Sequence, residues 1–264
     1  MSTDAEADIL PLRDYADRLL AIAREATRGV RYREDDHFAF MALAFLSKQI
    51  DHMEALLLLN RRRDTVLIAR TMLEGMSQLL WAAQDKPTRA FRWRAFAWVH
   101  DWRTMRDQLE LGRPPDDDLC SRIEEGLRRE GERFLSQRAL KARQKRRPLP
   151  RDPYVRNWTG MRADQIFREV RGDELYEVLY RTFSDWSHWG TGAVGGAIQR
   201  QGETVGFDSS SAAQTASALT AGFQCLMQTT WVLSIHLDLR LEEQLRKLRD
   251  EFIAWRDRKT DSQQ

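Results

Sequence analysis

From Ser209 to Leu237 the chain carries no Asp, Glu, Lys or Arg, a run long enough to cross a bilayer as a helix. A stretch of this kind leaves two solutions, a membrane span or the central helix of a bundle. Its polar content chooses between them. Gln214, Thr215, Ser217, Thr220, Gln224, Gln228, Thr229, Thr230 and Ser234 recur through it, and each unpaired polar side chain is costly in lipid. The expectation is a buried helix with no membrane partner, and such a helix needs other helices around it.

The rest of the chain supplies them. Between Leu10 and Ala26, the residues Leu12, Tyr15, Leu19, Ile22, Ala23 and Ala26 form one apolar stripe at helical spacing. His37 to Leu59 reads as a largely buried helix behind acidic Glu34, Asp35 and Asp36, which suit a helix N-terminus. A third helix runs from Asp64 to about Gln84, and Pro87 stops it. Arg89 to Leu111 mixes tryptophans and arginines, as on a wide face covered by snorkelling side chains. Asp116 to about Ala142 reads as one long solvent-facing helix, followed by a basic loop over 141–158. Two helices, Arg162 to Val170 and Asp173 to His188, precede a Gly-rich loop over 189–211 with a small hairpin around Gly202. A helix from about Ser210 and its charged continuation to Arg256 complete an all-α, multi-helix bundle, expected to be one domain over 1–264.

Charge excludes a global field. With 42 Lys+Arg against 40 Asp+Glu, the net charge is +2, so an anionic partner has to be met by a local patch. Cys120 and Cys225 lie far apart, without the short spacings of a zinc site or a disulfide framework. The stretch from Met1 to Leu20 is acidic, with Arg13, Asp14, Asp17 and Arg18, and lacks the layout of a secretory leader; a cytoplasmic protein is expected. The Gly-rich region follows a helix and has no Lys-Ser/Thr ending, so no phosphate-cradling loop is indicated. Glu34 to His37 is the one Glu-x-x-His that fits a di-metal bundle, and His52 and His100 stand singly on helices. Neither a metal nor a cofactor is expected.

Tyr180, Ser184 and His188 recur at i, i+4 and i+8, with Arg181 beside Tyr180, so one helix face gathers a phenol, a hydroxyl, an imidazole and a guanidinium. Two readings stand. Arg181 and His188 form a catalytic pair; or Tyr180, Ser184 and His188 form a buried network that fastens helices, with Arg181 turned to solvent or to Glu177. Arg70 and Glu74, at i and i+4, are placed to form a partly buried ion pair, to orient His188 or to hold an anion. In the basic loop, Lys145, Arg146, Arg147 and Arg151, interleaved with Tyr154 and Trp158, suit phosphate contact beside stacking surfaces.

Trp158-Thr159-Gly160, Tyr176 or Tyr180, Ser184 and His188, preceded by Ala69-Arg70-Thr71-Met72-Leu73-Glu74, resemble a widespread bacterial family of helical proteins of unknown function. An early Arg-x-x-x-Glu helix and a late Tyr-x-x-x-Ser-x-x-x-His element mark that family. Arg181 and His188, with six residues between them, also show a more distant similarity to the HEPN superfamily of small helical domains. That similarity implies dimers in which an Arg and a His act on RNA, the His taking a ribose 2′-hydroxyl proton and the Arg stabilising phosphate charge. Thr182 departs from the polar residue that commonly follows the arginine there. The expected function is RNA binding or ribonuclease activity by a homodimer. The alternative is a non-enzymatic interaction module with a protein partner in a bacterial defence or stress system, which exposed tryptophans among Trp93, Trp98 and Trp102 would favour.

Overall fold

The computed structural model describes residues 3–113, 115–188, 190–208 and 210–261. It is an all-α, multi-helix fold. The helices in chain order are α1 Thr3–Thr27, α2 His37–Leu59, α3 Thr65–Ala83, α4 Lys86–Ala95, α5 Ala97–Glu110, α6 Asp117–Glu130, α7 Gln137–Gln144 and α8 Ala163–Glu169. There follow α9 Asp173–Leu175, α10 Arg181–Ser187, α11 Thr191–Gly195, a hairpin of β1 Ile198–Gln201 and β2 Thr204–Phe207, then α12 Ala212–Leu237 and α13 Glu242–Asp261. The chain divides into two compact units, Met1–Gln84 with Ala163–Gln264, and Asp85–Arg162.

In the first unit the uncharged run becomes α12, which packs against α1, α2 and α3. Ala218, Leu219, Ala221, Cys225, Leu226 and Leu233 are buried. Two of its buried threonines are satisfied within the helix, which lowers the cost of burying them. Thr229 Oγ1 donates to Cys225 O at 2.8 Å, and Thr230 Oγ1 donates to Leu226 O at 2.7 Å. Gly222 admits the close approach of α2, since a Cβ there would lie 2.7 Å from a Leu56 methyl. At one end His236 Nε2 sits 2.9 Å from the carboxylate of Asp36, which also caps α2 by accepting from Ala39 N at 2.9 Å. No helix among the described residues is long and apolar enough to cross a membrane.

The hairpin expected around Gly202 is present, with Gln201 opposite Thr204 and Gly202 at a positive φ of 61° in the turn. Arg63 secures the neighbouring backbone. It donates to Asp208 O at 2.7 Å, Gly196 O at 3.1 Å and Gln214 Oε1 at 3.2 Å.

The second unit differs from its sequence reading in two places. Arg89 to Leu111 is two helices rather than one, divided at Phe96, whose ring meets Phe134 edge-on at 5.3 Å. The long helix expected to Ala142 ends at Glu130. A single 3₁₀ turn, Gly131–Phe134, carries Phe134 into full burial beside Ala95 and Val99. The driving force in both places is a small core that an unbroken helix would leave unfilled. Around it arginines bind backbone: Arg92 Nε donates to Trp158 O at 2.6 Å, and Arg103 donates to Val155 O at 2.8 Å and to Asp152 Oδ2 at 2.9 Å. The helix α7 extends to Gln144, so the basic loop starts four residues past its expected beginning.

Candidate functional site

The helix α10 is introduced by a π-helical turn, Tyr176–Tyr180, of the kind that re-aims side chains. Tyr176 and Tyr180 stack with centroids 5.3 Å apart, and Phe167 tilts against both. Tyr180 is thereby buried, and its hydroxyl comes within 3.1 Å of Arg70 Nη2. One turn later Ser184 Oγ accepts from Arg70 Nε at 2.8 Å. A single guanidinium on α3 thus holds two side chains of the π turn and α10, and its Cζ lies 5.1 Å from the centre of the Tyr180 ring.

Arg70 makes these bonds in place of the ion pair with Glu74 that their spacing suggests; among the described residues no hydrogen bond or salt bridge joins the two. Glu74 remains an electrostatic neighbour. Burial pushes the Tyr180 phenol up, and the Glu74 charge adds to that, against the opposing influence of Arg70. The phenol is a neutral hydrogen-bonding group at ordinary pH.

The structure brings together Arg70, Tyr180 and Ser184, with Glu74 nearby, and leaves Arg181 and His188 outside that cluster. Arg181 is exposed and pairs with Glu177 at 2.5 Å, one turn back. His188 forms the exposed C-terminal cap of α10; its backbone N donates to Ser184 O at 3.0 Å. Its imidazole has no hydrogen-bond partner among the described residues. The part-buried network that is present contains Tyr180 and Ser184 but not His188.

Beside the end of α10 lies a cleft of about 320 Å³, lined by residues that include Arg63, Asp64, Leu67, Trp186, Ser187 and Phe207. Trp186 Nε1 donates to Asp64 Oδ1 at 3.1 Å, which fixes the indole as a wall. The sequence reading did not single out this cleft; the Arg61-Arg62-Arg63 run was its one visible signal.

In the unit of 85–162, Lys145, Arg146 and Arg147 are exposed, and their side chains make no ion pair among the described residues. Arg151 is exposed but engaged by Glu110. The aromatic residues interleaved with them offer no stacking platform: Trp158 is buried, and Tyr154 is half-buried edge-on against Trp102. Trp93, Trp98 and Trp102 are likewise half-buried. Trp158-Thr159-Gly160 serves a turn in which Asn157 Oδ1 accepts from Gly160 N at 2.8 Å, with Gly160 at φ 71°.

Comparison with known proteins finds one family model, DUF5677, described as a family of unknown function, which matches residues 37–204. No curated protein and no solved structure matches the chain.

Proposed function

The chain belongs to the DUF5677 family of unknown function, and from the geometry of α10 we propose that it binds and cleaves RNA as a homodimer, with Arg181 and His188 as the working pair. The observation that carries this reading is the division of one helix into two faces. Tyr180 and Ser184 are claimed by Arg70, so the structural work is done without Arg181 and His188. Those two side chains stand in solvent two turns apart, where a substrate can reach them.

His188 would take the proton of a ribose 2′-hydroxyl. The 2′-oxygen then attacks the adjacent phosphorus, the bond to the 5′-oxygen breaks, and that oxygen takes a proton from water. The products are a 2′,3′-cyclic phosphate and a 5′-hydroxyl. Arg181 would offset the charge that builds on the phosphate. Its exposed pairing with Glu177 contributes little to stability, so exchange of Glu177 for a phosphate costs little. Seven residues at about 1.5 Å each separate Arg181 from His188 by about 10 Å along the helix, more than one phosphate spans. Two copies facing each other across α10 would remove that difficulty by placing the Arg181 of each beside the other's His188. Exposed Lys145, Arg146 and Arg147 independently support phosphate contact.

The test is cleavage of a mixed RNA pool, with the product ends identified, at protein concentrations that span the monomer–dimer transition. Cyclic-phosphate ends that appear with the dimer support the reading. Intact RNA at concentrations where the dimer is fully formed would exclude it.

A further inference from the structure

A second cleft, of about 420 Å³, opens among α3, the turn after α8, α12 and α13, all within the first unit. Its walls are apolar and include Met76, Phe167, Phe223, Met227, Phe252 and Ile253. The aromatic part is rigid, since Phe223 and Phe252 stack at 4.4 Å. Three arginines, Arg171, Arg249 and Arg256, also line it. Arg249 and Arg256 are paired with Asp250 and Asp257. Arg171 sits at a positive φ of 57° in the turn after α8, and its guanidinium has no partner among the described residues. In the same cleft Gln224 Oε1 is shut away from solvent and accepts no hydrogen bond among the described residues.

These observations specify a ligand's chemistry. Its mostly apolar walls select an apolar body, and the volume lies within the roughly 300–1,000 Å³ of small-ligand sites. A buried acceptor without a donor is costly, and an N–H or O–H group on the ligand would satisfy it. An unpaired guanidinium answers an acidic group. We propose that this cleft binds a small amphipathic acid whose apolar body lies along Phe167, Phe223 and Phe252, whose N–H or O–H donates to Gln224, and whose anion meets Arg171. The site does not depend on the α10 reading and shares no lining residue with the cleft beside Trp186.

N-decanoylglycine carries all three features and is the probe. Isothermal titration calorimetry should show one-to-one binding to the full-length protein. Decanoate, which lacks the amide N–H, should bind about tenfold more weakly. Gln224→Leu should erase that difference between the two probes, and Arg171→Gln should weaken both. Met227→Trp, which fills the cleft, should abolish binding while circular dichroism verifies its fold; Ile253→Trp serves if that variant does not fold. The proposal is overturned if the wild type gives no saturable binding of N-decanoylglycine, if a folded cleft-filling variant binds as well as the wild type, or if Gln224→Leu leaves the preference for the amide unchanged.

Discussion

The two units solve the same problem, how to bury helices, with opposite materials. At the centre of the first is α12, which has no Asp, Glu, Lys or Arg and in which the hydroxyls of Thr229 and Thr230 bond the backbone of the preceding turn. The 85–162 unit has a small cluster around Phe134, Ala95 and Val99, enclosed by arginines that lie over aromatic rings and donate to carbonyl oxygens. Arg92 illustrates the cost: burial lowers its guanidinium pKa, and the neighbouring Arg133 adds to that, yet the bonds to Trp158 O and Arg133 O keep it in place. A large apolar core is held by area removed from water, whereas a small one relies more on directional bonds to a few groups.

Removing Phe134 attacks that difference most strongly. Phe134→Ala should cost about 3–5 kcal/mol, and hydrogen exchange should show loss of protection across 85–162 while the amides of α12 keep theirs. Equal loss in both units would mean that they unfold as one cooperative domain, as the sequence reading expects.

The glycines give a matched pair. A Cβ on Gly126 would come 2.4 Å from the Trp98 ring, whereas one on Gly222 would meet the end of the Leu56 side chain at 2.7 Å. An indole cannot fold aside as a leucine methyl can. Gly126→Ala should therefore cost about 1–3 kcal/mol in urea unfolding. Gly222→Ala should cost less because the Leu56 side chain can move, the roughly 1 kcal/mol that alanine gains over glycine in a helix being common to both sites. A larger loss at Gly222 would reverse the assignment of which unit is the more rigidly packed.

A smaller effect distinguishes the first unit by pH. Burial acts to raise the Asp36 carboxyl, but the Ala39 amide and His236 outweigh it and hold it below the ordinary value of 3.8. A carboxyl depressed in the folded state contributes stability above its unfolded pKa, and loses it as pH falls through the folded value. Asp36→Asn keeps the cap but loses the carboxylate's attraction to His236, so it should lower stability by up to about 1 kcal/mol at neutral pH, and the gap from the wild type should close below about pH 3.8. A gap that persists into acid would assign the loss to packing.

The smallest stability effect is expected at the exposed basic residues proposed to meet RNA. Replacing Lys145, Arg146 and Arg147 together by Ala should leave the Tm unchanged. RNA affinity should lose part of its salt dependence, with the slope of log K against log salt falling by about 2. An unchanged slope would remove these residues from the proposed RNA contact.

Legibility in the sequence follows the same division. The helices α2, α3 and α12 were readable because apolar burial writes itself into local periodicity, and a helix start such as Asp36 has its own chemistry. The breaks at Phe96 and Gly131 were not, because both answer a core assembled from separate helices. Arg92 and Arg103 look like solvated charges until their carbonyl partners, dozens of residues away, are in place. The site shows this limit most clearly. Arg70 and Glu74 have the spacing of an ion pair, yet Ser184, 114 residues further along, takes the guanidinium. The spacing of Tyr180, Ser184 and His188 places all three on one face, whereas the π turn and the end of α10 divide them into a pair bonded to Arg70 and an exposed histidine.

The division of α10 into a structural face and a reactive one is tested most directly by measuring RNA cleavage and Tm together for Arg70→Met, Ser184→Ala, Arg181→Ala and His188→Ala. The first two should lower the Tm by several degrees, while the last two should abolish cleavage with the Tm unchanged. Intact cleavage in His188→Ala, or a Tm loss there as large as in Arg70→Met, would contradict it.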